Sequence, residues 1–520
     1  MLITVHFLRR AGWLSFGLGI LACVACMPRP WQQHYVRPAD PSAPVAPPVF
    51  HLPIPVRSST PAGAPAPVAP ATSVRDSGVT PKPSGPVVEP EASDEAAVDH
   101  GVYPPYTSHP DEQAPIPRAI EGLQHLDYFY GQLTLTELKH PGAITRAGHF
   151  GDSVIGGDGL TFEIRQKLQA RFGDAGHGYH VLSKYSIGYY HRGIFFRDGQ
   201  SWKSCHIIFK CRPEMRYGYG GVTSSSSGGS RSLFRTTREG AGQTVSRFEL
   251  WYALQPGGGR FQIRVDGKEA RVLETARPEL GDAVETIQVE DGPHEFEVRA
   301  IGGPVRGYGV VFERDVPGVV YDELSQIGSF TQRLDYQDAA HVAGQMARRD
   351  TDLLVFILGG NDVQRGTTDL KSDMSKYEAE YTRVLRKFRA GKPQTSCLIM
   401  TPIDHGHREG GQIRSRPIMF RLVAVQRKVA REQGCAFFDT FEAMGGEGAI
   451  GRWFQARPQL AAKDLVHPSL RGQQLIASWL YHALMRGYVQ FRLDRTGQPL
   501  PALDVARPLV DAAELPAAQN

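Results

Sequence analysis

The spacing of apolar residues changes twice along this chain, and that change constrains the possible fold more than any other feature. Near the start of the globular part the spacing is helical, with apolar residues four apart at Leu160, Ile164, Leu168 and Phe172. Across residues 195–314 the spacing becomes two, as in half-buried strands, and afterwards helical spacing returns. Since one stretch cannot satisfy both periods, we predict an α/β domain interrupted by an inserted β domain.

Short apolar runs separate the amphipathic helices of the α/β part. LLVFIL, CLIMT and CAFFD occupy residues 353–358, 397–401 and 435–439. Strands that alternate with helices in this way form a parallel sheet with helices on both faces. In the insert, alternation such as Phe248 with Leu250 predicts antiparallel strands joined by turns, as in a β-sandwich or jelly roll.

Composition limits the remaining parts of the chain and its partners. A chain of 520 residues exceeds one ordinary core, so we expect more than one domain. Between Pro28 and Pro117 lie 22 of the 38 prolines, and this segment predicts an extended tether that buries no core. The 58 basic and 54 acidic residues leave a formal charge of +4, which gives no reason to expect a nucleic-acid partner.

The first 26 residues have the order of an export signal. Arg9 and Arg10 precede an apolar run that is shorter than the roughly 20 residues of a membrane-spanning helix. The sequence ILAC at residues 20–23 resembles a bacterial lipoprotein cleavage box, with Cys23 as the lipidated residue and Cys26 as a weaker alternative. A cleaved signal without lipid stays open. We expect an exported protein of the bacterial cell envelope, held on a membrane by lipid in the periplasm or at the cell surface.

Four further cysteines follow. Cys205 and Cys211 are close enough in sequence for a disulfide in an exported chain, but spacing does not establish one. Cys397 and Cys435 open strand-like apolar runs, so we expect them to be buried free thiols. No Cys-x-x-Cys or His-rich spacing predicts a metal site, and none is expected.

Three short motifs carry the residue types of a serine nucleophile, its base and oxyanion donors. They are Gly151-Asp152-Ser153, Gly359-Gly360-Asn361-Asp362 and Asp464-Leu465-Val466-His467. The first two follow predicted strands, and the third precedes a helix predicted from Leu470 to about Met485. Strand ends and helix starts of this kind meet at one edge of an open α/β sheet. We therefore predict that the three motifs converge.

The residues of these motifs fit acyl transfer. Ser153 lies at a strand-to-helix turn, where its hydroxyl can attack a carbonyl and its amide can donate to an oxyanion. Asn361 supplies a second donor. Asp464 can hold one nitrogen of His467, so that the other nitrogen takes the serine proton. Ser153, His467 and Asp464 are the predicted catalytic residues, with no metal and no cofactor.

With these motifs in this order, the chain resembles an SGNH (GDSL-type) hydrolase. The resemblance covers roughly residues 120–193 and 316–490 and implies a flavodoxin-like, three-layer α/β fold. It implies Ser153 as the nucleophile. The backbone amide of Ser153 and the side-chain amide of Asn361 are then donors of the oxyanion hole. It also implies a glycine amide as a third donor, for which Gly328 is the best candidate.

The inserted β domain narrows the resemblance to bacterial peptidoglycan O-acetylesterases, which carry a carbohydrate-binding-like β-sandwich after the serine motif. The implied activity is removal of O-acetyl groups from a cell-wall or extracellular polysaccharide, most concretely peptidoglycan, through an acyl-enzyme. Acetyl transfer onto a glycan by the same site stays open, as does a glycan-binding surface lipoprotein with a weak or vestigial esterase site. The implied partners are an acetylated polysaccharide and a membrane; the oligomeric state is undetermined.

The predicted boundaries are 1–26 for the signal, 27–119 for the tether, 120–193 and 316–490 for the two parts of the α/β domain, 194–315 for the inserted β-sandwich, and 491–520 for a loose tail.

Several other polar and aromatic residues are expected to have a structural role rather than a catalytic or ligand-binding one. Asp152 is expected to be a buried hydrogen-bonding partner, and the histidines of residues 404–407 to be neutral loop residues rather than metal ligands. His149 and His191 fit either the cleft or the core. The aromatic residues Tyr217, Tyr219 and Trp251 are expected in the core of the insert rather than stacked on sugar. Ser224–Ser227 are expected in a loop.

Overall fold

The computed structural model of the chain describes residues 103–199, 201–365 and 374–496. The predicted signal with Cys23, the predicted tether up to residue 102 and the predicted tail from residue 497 lie outside these residues. The rest of the tether prediction is wrong, because Tyr103 and Ile116 are buried in the core of the α/β domain. The predicted start of the tail at residue 491 is wrong as well, because the last helix continues to Asp494. Over the described part of the chain, no helix has both the length and the hydropathy needed to cross a bilayer.

Strands and helices alternate at both ends of the described chain, whereas its middle consists of strands and one short 3-10 helix, Ile207–Phe209. The strands, in chain order, are β1 (Ile144–Gly151), β2 (Gly176–Val181), β3 (Ile194–Asp198), β4 (Lys203–His206), β5 (Val222–Ser226), β6 (Arg231–Thr236), β7 (Val245–Leu254), β8 (Arg260–Val265), β9 (Lys268–Glu274), β10 (Gly281–Gly292), β11 (Glu295–Gly302), β12 (Val305–Glu313), β13 (Gly318–Ser325), β14 (Leu353–Ile357), β15 (Ser396–Met400), β16 (Gly406–Glu409), β17 (Gln412–Ser415) and β18 (Ala436–Phe438). The helices are α1 (Asp127–Glu137), α2 (Gly159–Phe172), α3 (Thr331–Asp335), α4 (Ala339–Arg349), α5 (Gly360–Arg365), α6 (Ser375–Arg389), α7 (Ile418–Glu432), α8 (Thr440–Ala443), α9 (Ala449–Gln455) and α10 (Leu470–Asp494).

A five-stranded parallel sheet in the order β13-β1-β14-β15-β18 forms the centre of the α/β domain. Alternate residues of its strands enter two different cores, because successive side chains of a strand point to opposite faces. Val355 and its neighbours two residues away pack with α1, α2 and α10. Leu354 and Phe356 pack with α4, α6 and α7 on the other face. The predicted three-layer α/β fold is confirmed.

The insert is a sandwich of two antiparallel sheets. One has the order β10-β7-β12-β5-β4, with β2 also paired to β12, and the other has the order β3-β6-β11-β8-β9. Phe248 and Phe312 of the first sheet pack with Phe234 and Phe296 of the second in one buried cluster. The predicted insertion of a β-sandwich into the α/β domain is confirmed.

Two details of the predicted insert are wrong. The insert begins earlier than the predicted residue 194. Strand β2 belongs to it, because β2 pairs with β12. This strand is buried along its whole length and contains two glycines and two histidines, so it lacks the alternation that marks a half-buried strand. Ser224–Ser226, expected in a loop, lie in β5 and pair with both β4 and β12.

A buried ion cluster joins the insert to the α/β domain. Glu313 at the end of β12 has no exposed side-chain surface and pairs with Arg247 of the insert and with Arg146 and Arg349 of the α/β domain. Arg349 also donates to Asp322 of β13 at 2.7 Å. Burial alone would raise the pKa of Glu313, but the surrounding guanidinium groups outweigh it and hold that pKa well below its ordinary value.

Both pairs of cysteines form disulfides. Cys205 and Cys211 are joined in the insert, which answers the question that the sequence left open. Cys397 and Cys435 are joined in the α/β domain, so the expectation of free thiols is wrong. Cys397 belongs to β15 and Cys435 immediately precedes β18, its parallel neighbour, so the pairing of these strands brings the two sulfur atoms together.

Candidate active site

Three turns at one edge of the parallel sheet bring the predicted catalytic residues together. Ser153 follows the carboxyl end of β1, and Asn361 lies in the first turn of α5, after β14. Asp464 and His467 belong to a turn that ends at Ser469, the residue that caps α10. Because β1 and β14 are parallel neighbours, their carboxyl ends lie side by side.

The side chains of Ser153, His467 and Asp464 form a continuous hydrogen-bonded chain. Ser153 Oγ lies 2.7 Å from His467 Nε2. His467 Nδ1 lies 2.7 Å from Asp464 Oδ2. With Nδ1 donating to the carboxylate, Nε2 is the nitrogen that can accept the serine proton. This is the arrangement of a nucleophile, a general base and the acid that orients the base.

The turn that carries Asp464 and His467 is fixed by its own backbone. Asp464 Oδ1 accepts from the amides of Val466 and His467, each at 3.1 Å. Burial acts to raise the pKa of Asp464, but the hydrogen bonds from His467 and Val466 outweigh it and hold the pKa below its ordinary value. Leu465 has φ 62°, a left-handed conformation that is uncommon for a branched side chain. The Leu465 carbonyl accepts from Gly406 N at 2.8 Å, which helps to hold this turn in place.

A small cleft opens beside the nucleophile and encloses about 370 Å³ including its mouth. Its walls combine apolar side chains with the catalytic groups. The lining residues are Asp152, Ser153, Val154, Ile357, Gly360, Asn361, Pro402, Ile403, His405, Val466 and His467. The cleft therefore offers an apolar surface for a short acyl chain next to polar groups that can handle charge.

The predicted oxyanion donors are placed unequally. The amide of Ser153 donates to no described residue and is therefore free of a competing acceptor among them. Asn361 Nδ2 donates to Ser329 O at 3.0 Å and to Asp152 Oδ2 at 3.2 Å, so its two hydrogens already have partners and an oxyanion must share or displace one. Gly328 is not among the residues that line the cleft. It is joined to the site through the next residue, whose carbonyl accepts from Asn361.

Several other residues that the sequence analysis named are buried. Asp152 is buried and accepts from the amide of Val154 at 3.0 Å; burial raises its pKa, so the expected role as a hydrogen-bonding partner fits the geometry. His149 is fully buried with Nδ1 2.9 Å from Tyr321 Oη. His191 is buried as well, and neither ring lines the cleft. The aromatic residues Tyr217, Tyr219 and Trp251 are buried, with at most 2% of their surface exposed.

His405 is a cleft residue that the sequence did not single out as functional. It is 5% exposed and lines the cleft with His467. Its Nδ1 is buried without a hydrogen-bond partner among the described residues. Burial, reinforced by His467, lowers the pKa of His405 to about 3, so the ring is neutral at neutral pH. The sequence predicted it only as a neutral loop residue, because a His-rich tetrapeptide carries no signal for a place in the cleft.

Three exposed apolar side chains of the insert were also not singled out by the sequence. Ile187 and Tyr190, in the β2–β3 connection, are 108% and 56% exposed, and Phe209, after β4, is 69% exposed. Tyr190 N donates to Gly156 O at 3.0 Å, which places this connection against the turn that carries Ser153. Nothing in the spacing of these residues distinguishes them from core aromatics, so only the fold identifies them.

Comparisons with known proteins concern the family and the fold of this chain. Residues 300–475 match the model of the GDSL-like Lipase/Acylhydrolase family. The matched residues contain Asn361, Asp464 and His467, whereas Ser153 lies on the far side of the insert. No curated protein matches the sequence.

The fold is similar to that of a solved peptidoglycan O-acetylesterase, with a TM-score of 0.59 and 19% identity over 70% of this chain and 96% of that chain. An acetyl xylan esterase matches 32% of this chain and 80% of its own, with 19% identity and a TM-score of 0.25. A family two carbohydrate esterase from Clostridium thermocellum, solved with cellohexaose, matches 57% of this chain and all of its own, with 12% identity and a TM-score of 0.24. The family match and the first of these folds confirm the predicted SGNH resemblance.

Proposed function

We propose that this chain, a serine ester hydrolase of the SGNH superfamily, removes O-acetyl groups from an acetylated polysaccharide of the cell wall, most specifically peptidoglycan. The observation that carries the proposal is the unbroken chain from Ser153 Oγ through His467 to Asp464, with both hydrogen bonds at 2.7 Å. Such a chain activates a serine for attack on a carbonyl carbon without any cofactor.

The reaction has two acyl-transfer steps. In the first, His467 Nε2 removes the proton of Ser153 as Oγ attacks the acetyl carbonyl, and the negative oxygen is stabilised by the Ser153 amide and Asn361. The intermediate then collapses, the sugar oxygen leaves with the proton held by His467, and acetyl remains on Ser153. In the second step His467 deprotonates a water molecule that attacks the acetyl-enzyme, and acetate and free Ser153 are released.

Two features of the site support an acetylated sugar as substrate. The small cleft with Val154, Ile357 and Ile403 in its walls suits a short acyl group better than a long chain. Outside it, the exposed rings of Tyr190 and Phe209 offer faces on which a sugar ring can pack. The similarity in fold to a peptidoglycan O-acetylesterase favours peptidoglycan among such polymers.

The proposed location follows from the substrate and from the sequence of the first residues. A cell-wall polymer lies outside the cytoplasm, so the enzyme must be exported to reach it. Lipidation of Cys23, with residues 27–102 as a tether, would hold the enzyme on a membrane of the envelope. Metabolic labelling with a fatty-acid probe tests this: wild type should carry label and Cys23→Ala should not. Label that persists in Cys23→Ala but disappears in Cys26→Ala would move the anchor to Cys26.

The decisive experiment measures where acetyl goes. The purified protein is incubated with O-acetylated peptidoglycan, and free acetate is measured against the matched Ser153→Ala variant. We expect acetate from the wild type alone. Acetyl found on an added unacetylated glycan instead of in water would make the protein a transferase. Binding of glycan without loss of acetyl from any ester would leave only the binding function.

A further inference from the structure

The loop after β13, residues 326–329, carries Gly328 and is held by the inserted domain. Gln326, its first residue, is 2% exposed, and all four of its polar groups are engaged. Its amide donates to Gly151 O at 2.7 Å, and its carbonyl accepts from Ser329 N at 2.7 Å. The first bond fixes the start of the loop against the end of β1, two residues before Ser153, and the second closes the turn of the loop.

The side chain of Gln326 binds only to the insert. Nε2 donates to Gly220 O at 2.8 Å, and Oε1 lies 3.1 Å from His206 Nε2. Burial lowers the pKa of His206 to about 4, so the ring is neutral near pH 7. Because Oε1 can only accept, Nε2 must be the protonated nitrogen of His206. Each donor and each acceptor therefore has one defined partner, which gives the loop a single position.

The insert is shaped around this glutamine. A Cβ at residue 221 would collide with Gln326 Oε1, so only glycine permits the contact. Ile207 N donates to Gly221 O at 3.1 Å, which joins the two insert segments that hold the side chain. The disulfide between Cys205 and Cys211 closes the segment that contains His206.

Movement of this loop would change the predicted donor Gly328 and the donor Asn361 together. The amide of Gly328 donates to no described residue, and its φ of 77° is set by the turn that Gln326 and Ser329 close. Ser329 O accepts from Asn361 Nδ2 at 3.0 Å, so the same turn orients the Asn361 amide. Tyr185 of the insert adds a hydrogen bond to Ser325 O at 2.8 Å on the other side of Gln326.

We propose that Gln326 is a positioning residue for catalysis, through which His206 and Gly220 of the inserted domain hold the oxyanion donors Gly328 and Asn361 in place. The insert thus contributes to the acyl-transfer step itself and not only to recognition of the polymer. This inference rests on the esterase activity proposed above and on Gly328 as a donor.

The test compares Gln326→Met with Gln169→Met. Both substitutions keep the length of the side chain and remove its hydrogen bonds. Gln169 is the matched control because it also connects the two domains, donating to Gly176 O at 2.8 Å and to Val319 O at 3.1 Å, away from the cleft. The kcat and KM for p-nitrophenyl acetate, the Ki of methaneboronic acid and the thermal midpoint are measured for each variant and for the wild type.

Removal of an oxyanion donor lowers kcat by roughly 100- to 1000-fold, and a displaced donor should lose part of that. We expect Gln326→Met to lower kcat roughly 10- to 100-fold with KM within about twofold, since the lost interaction acts on the transition state. The Ki of the boronic acid, which forms a tetrahedral adduct on Ser153, should rise by a similar factor. Gln169→Met should leave both constants within about twofold of wild type.

A kcat for Gln326→Met within about twofold of wild type overturns the inference, as does an equal loss of kcat in both variants. If Gln326→Met does not fold, His206→Gln and His206→Ala replace it: the first keeps a donor and should retain more activity than the second, and equal activity of the two overturns the inference. An inactive wild type contradicts the proposed function instead, so the two failures are distinct.

Discussion

The α/β domain and the inserted sandwich contribute to the site in different ways. All three triad side chains come from turns of the α/β domain, whereas the insert contributes no catalytic side chain among the described residues. The insert nevertheless packs its aromatic core against β1, where Phe150 lies 5.8 Å from the Tyr219 ring, and it shares the Glu313 ion cluster. Chemistry can therefore reside in one domain while the shape of its site depends on another.

We expect the largest difference in kcat between two variants that each break an Asp–His hydrogen bond, one in the α/β domain and one in the insert. Asp464→Asn removes the acceptor that orients His467 and should lower kcat by roughly 100- to 10,000-fold. The insert contains a pair of the same length, with Asp266 Oδ2 2.7 Å from His294 Nδ1. Asp266→Asn should leave kcat unchanged. Kinetics with p-nitrophenyl acetate decide between them, and a comparable loss in both variants would contradict the assignment of chemistry to the α/β domain alone.

The ion cluster between the domains should matter for stability. Glu313→Gln leaves buried guanidinium groups without their carboxylate and should lower the free energy of unfolding by about 3–5 kcal/mol at pH 7. Because the folded-state pKa of Glu313 is depressed, its contribution is complete above about pH 4.5 and declines as pH falls below the unfolded value. The difference between wild type and variant, measured by denaturant unfolding, should therefore shrink in acid.

The exposed pair of Arg260 and Glu274 supplies the control for this experiment. The two side chains are 50% and 64% exposed, so Glu274→Gln should change stability by less than about 0.5 kcal/mol. A loss in Glu313→Gln that is no larger than this would show that the domains do not depend on the cluster for their association.

The two disulfides should separate stability from catalysis. Cys397 and Cys435 are 38 residues apart, and replacing both with alanine should cost about 2–4 kcal/mol by freeing the unfolded chain, with kcat unchanged. Replacing Cys205 and Cys211 frees the segment that holds His206 and should lower kcat as well. Thermal unfolding and kinetics on the two double variants test this, and an unchanged kcat after loss of Cys205–Cys211 would weaken the link to the oxyanion loop.

The smallest effect concerns the exposed rings of the insert. Phe209→Ala should raise KM for acetylated glycan about fivefold, since one aromatic contact contributes about 1 kcal/mol, and should not alter hydrolysis of p-nitrophenyl acetate. Phe420→Ala removes an aromatic side chain that is 44% exposed on α7 and outside the cleft, and it should affect neither substrate. Equal KM values for glycan in all three proteins would remove Phe209 from substrate binding.

Much of the fold could be predicted because burial leaves a periodic signal. The apolar residues four apart from Leu160 to Phe172 lie in α2, and the run at 353–358 contains β14. The signal fails where a segment is buried on every side, as in β2, or where small polar residues pair within a sheet, as Ser224–Ser226 do in β5. It also did not predict the Cys397–Cys435 disulfide, because strand neighbours are set by sheet order.

The sequence by itself determined the order of motifs, the two kinds of domain and the pairing of Asp464 with His467, since these depend on residues close together in the chain. Only the tertiary structure decided which distant groups meet. Ser153 and His467 are separated by 314 positions, and Gln326 is separated by 106 and 120 positions from its partners in the insert. The physical reason is that periodicity specifies which side of an element is buried, whereas a hydrogen bond requires two atoms about 3 Å apart, which only the assembled sheets and turns provide.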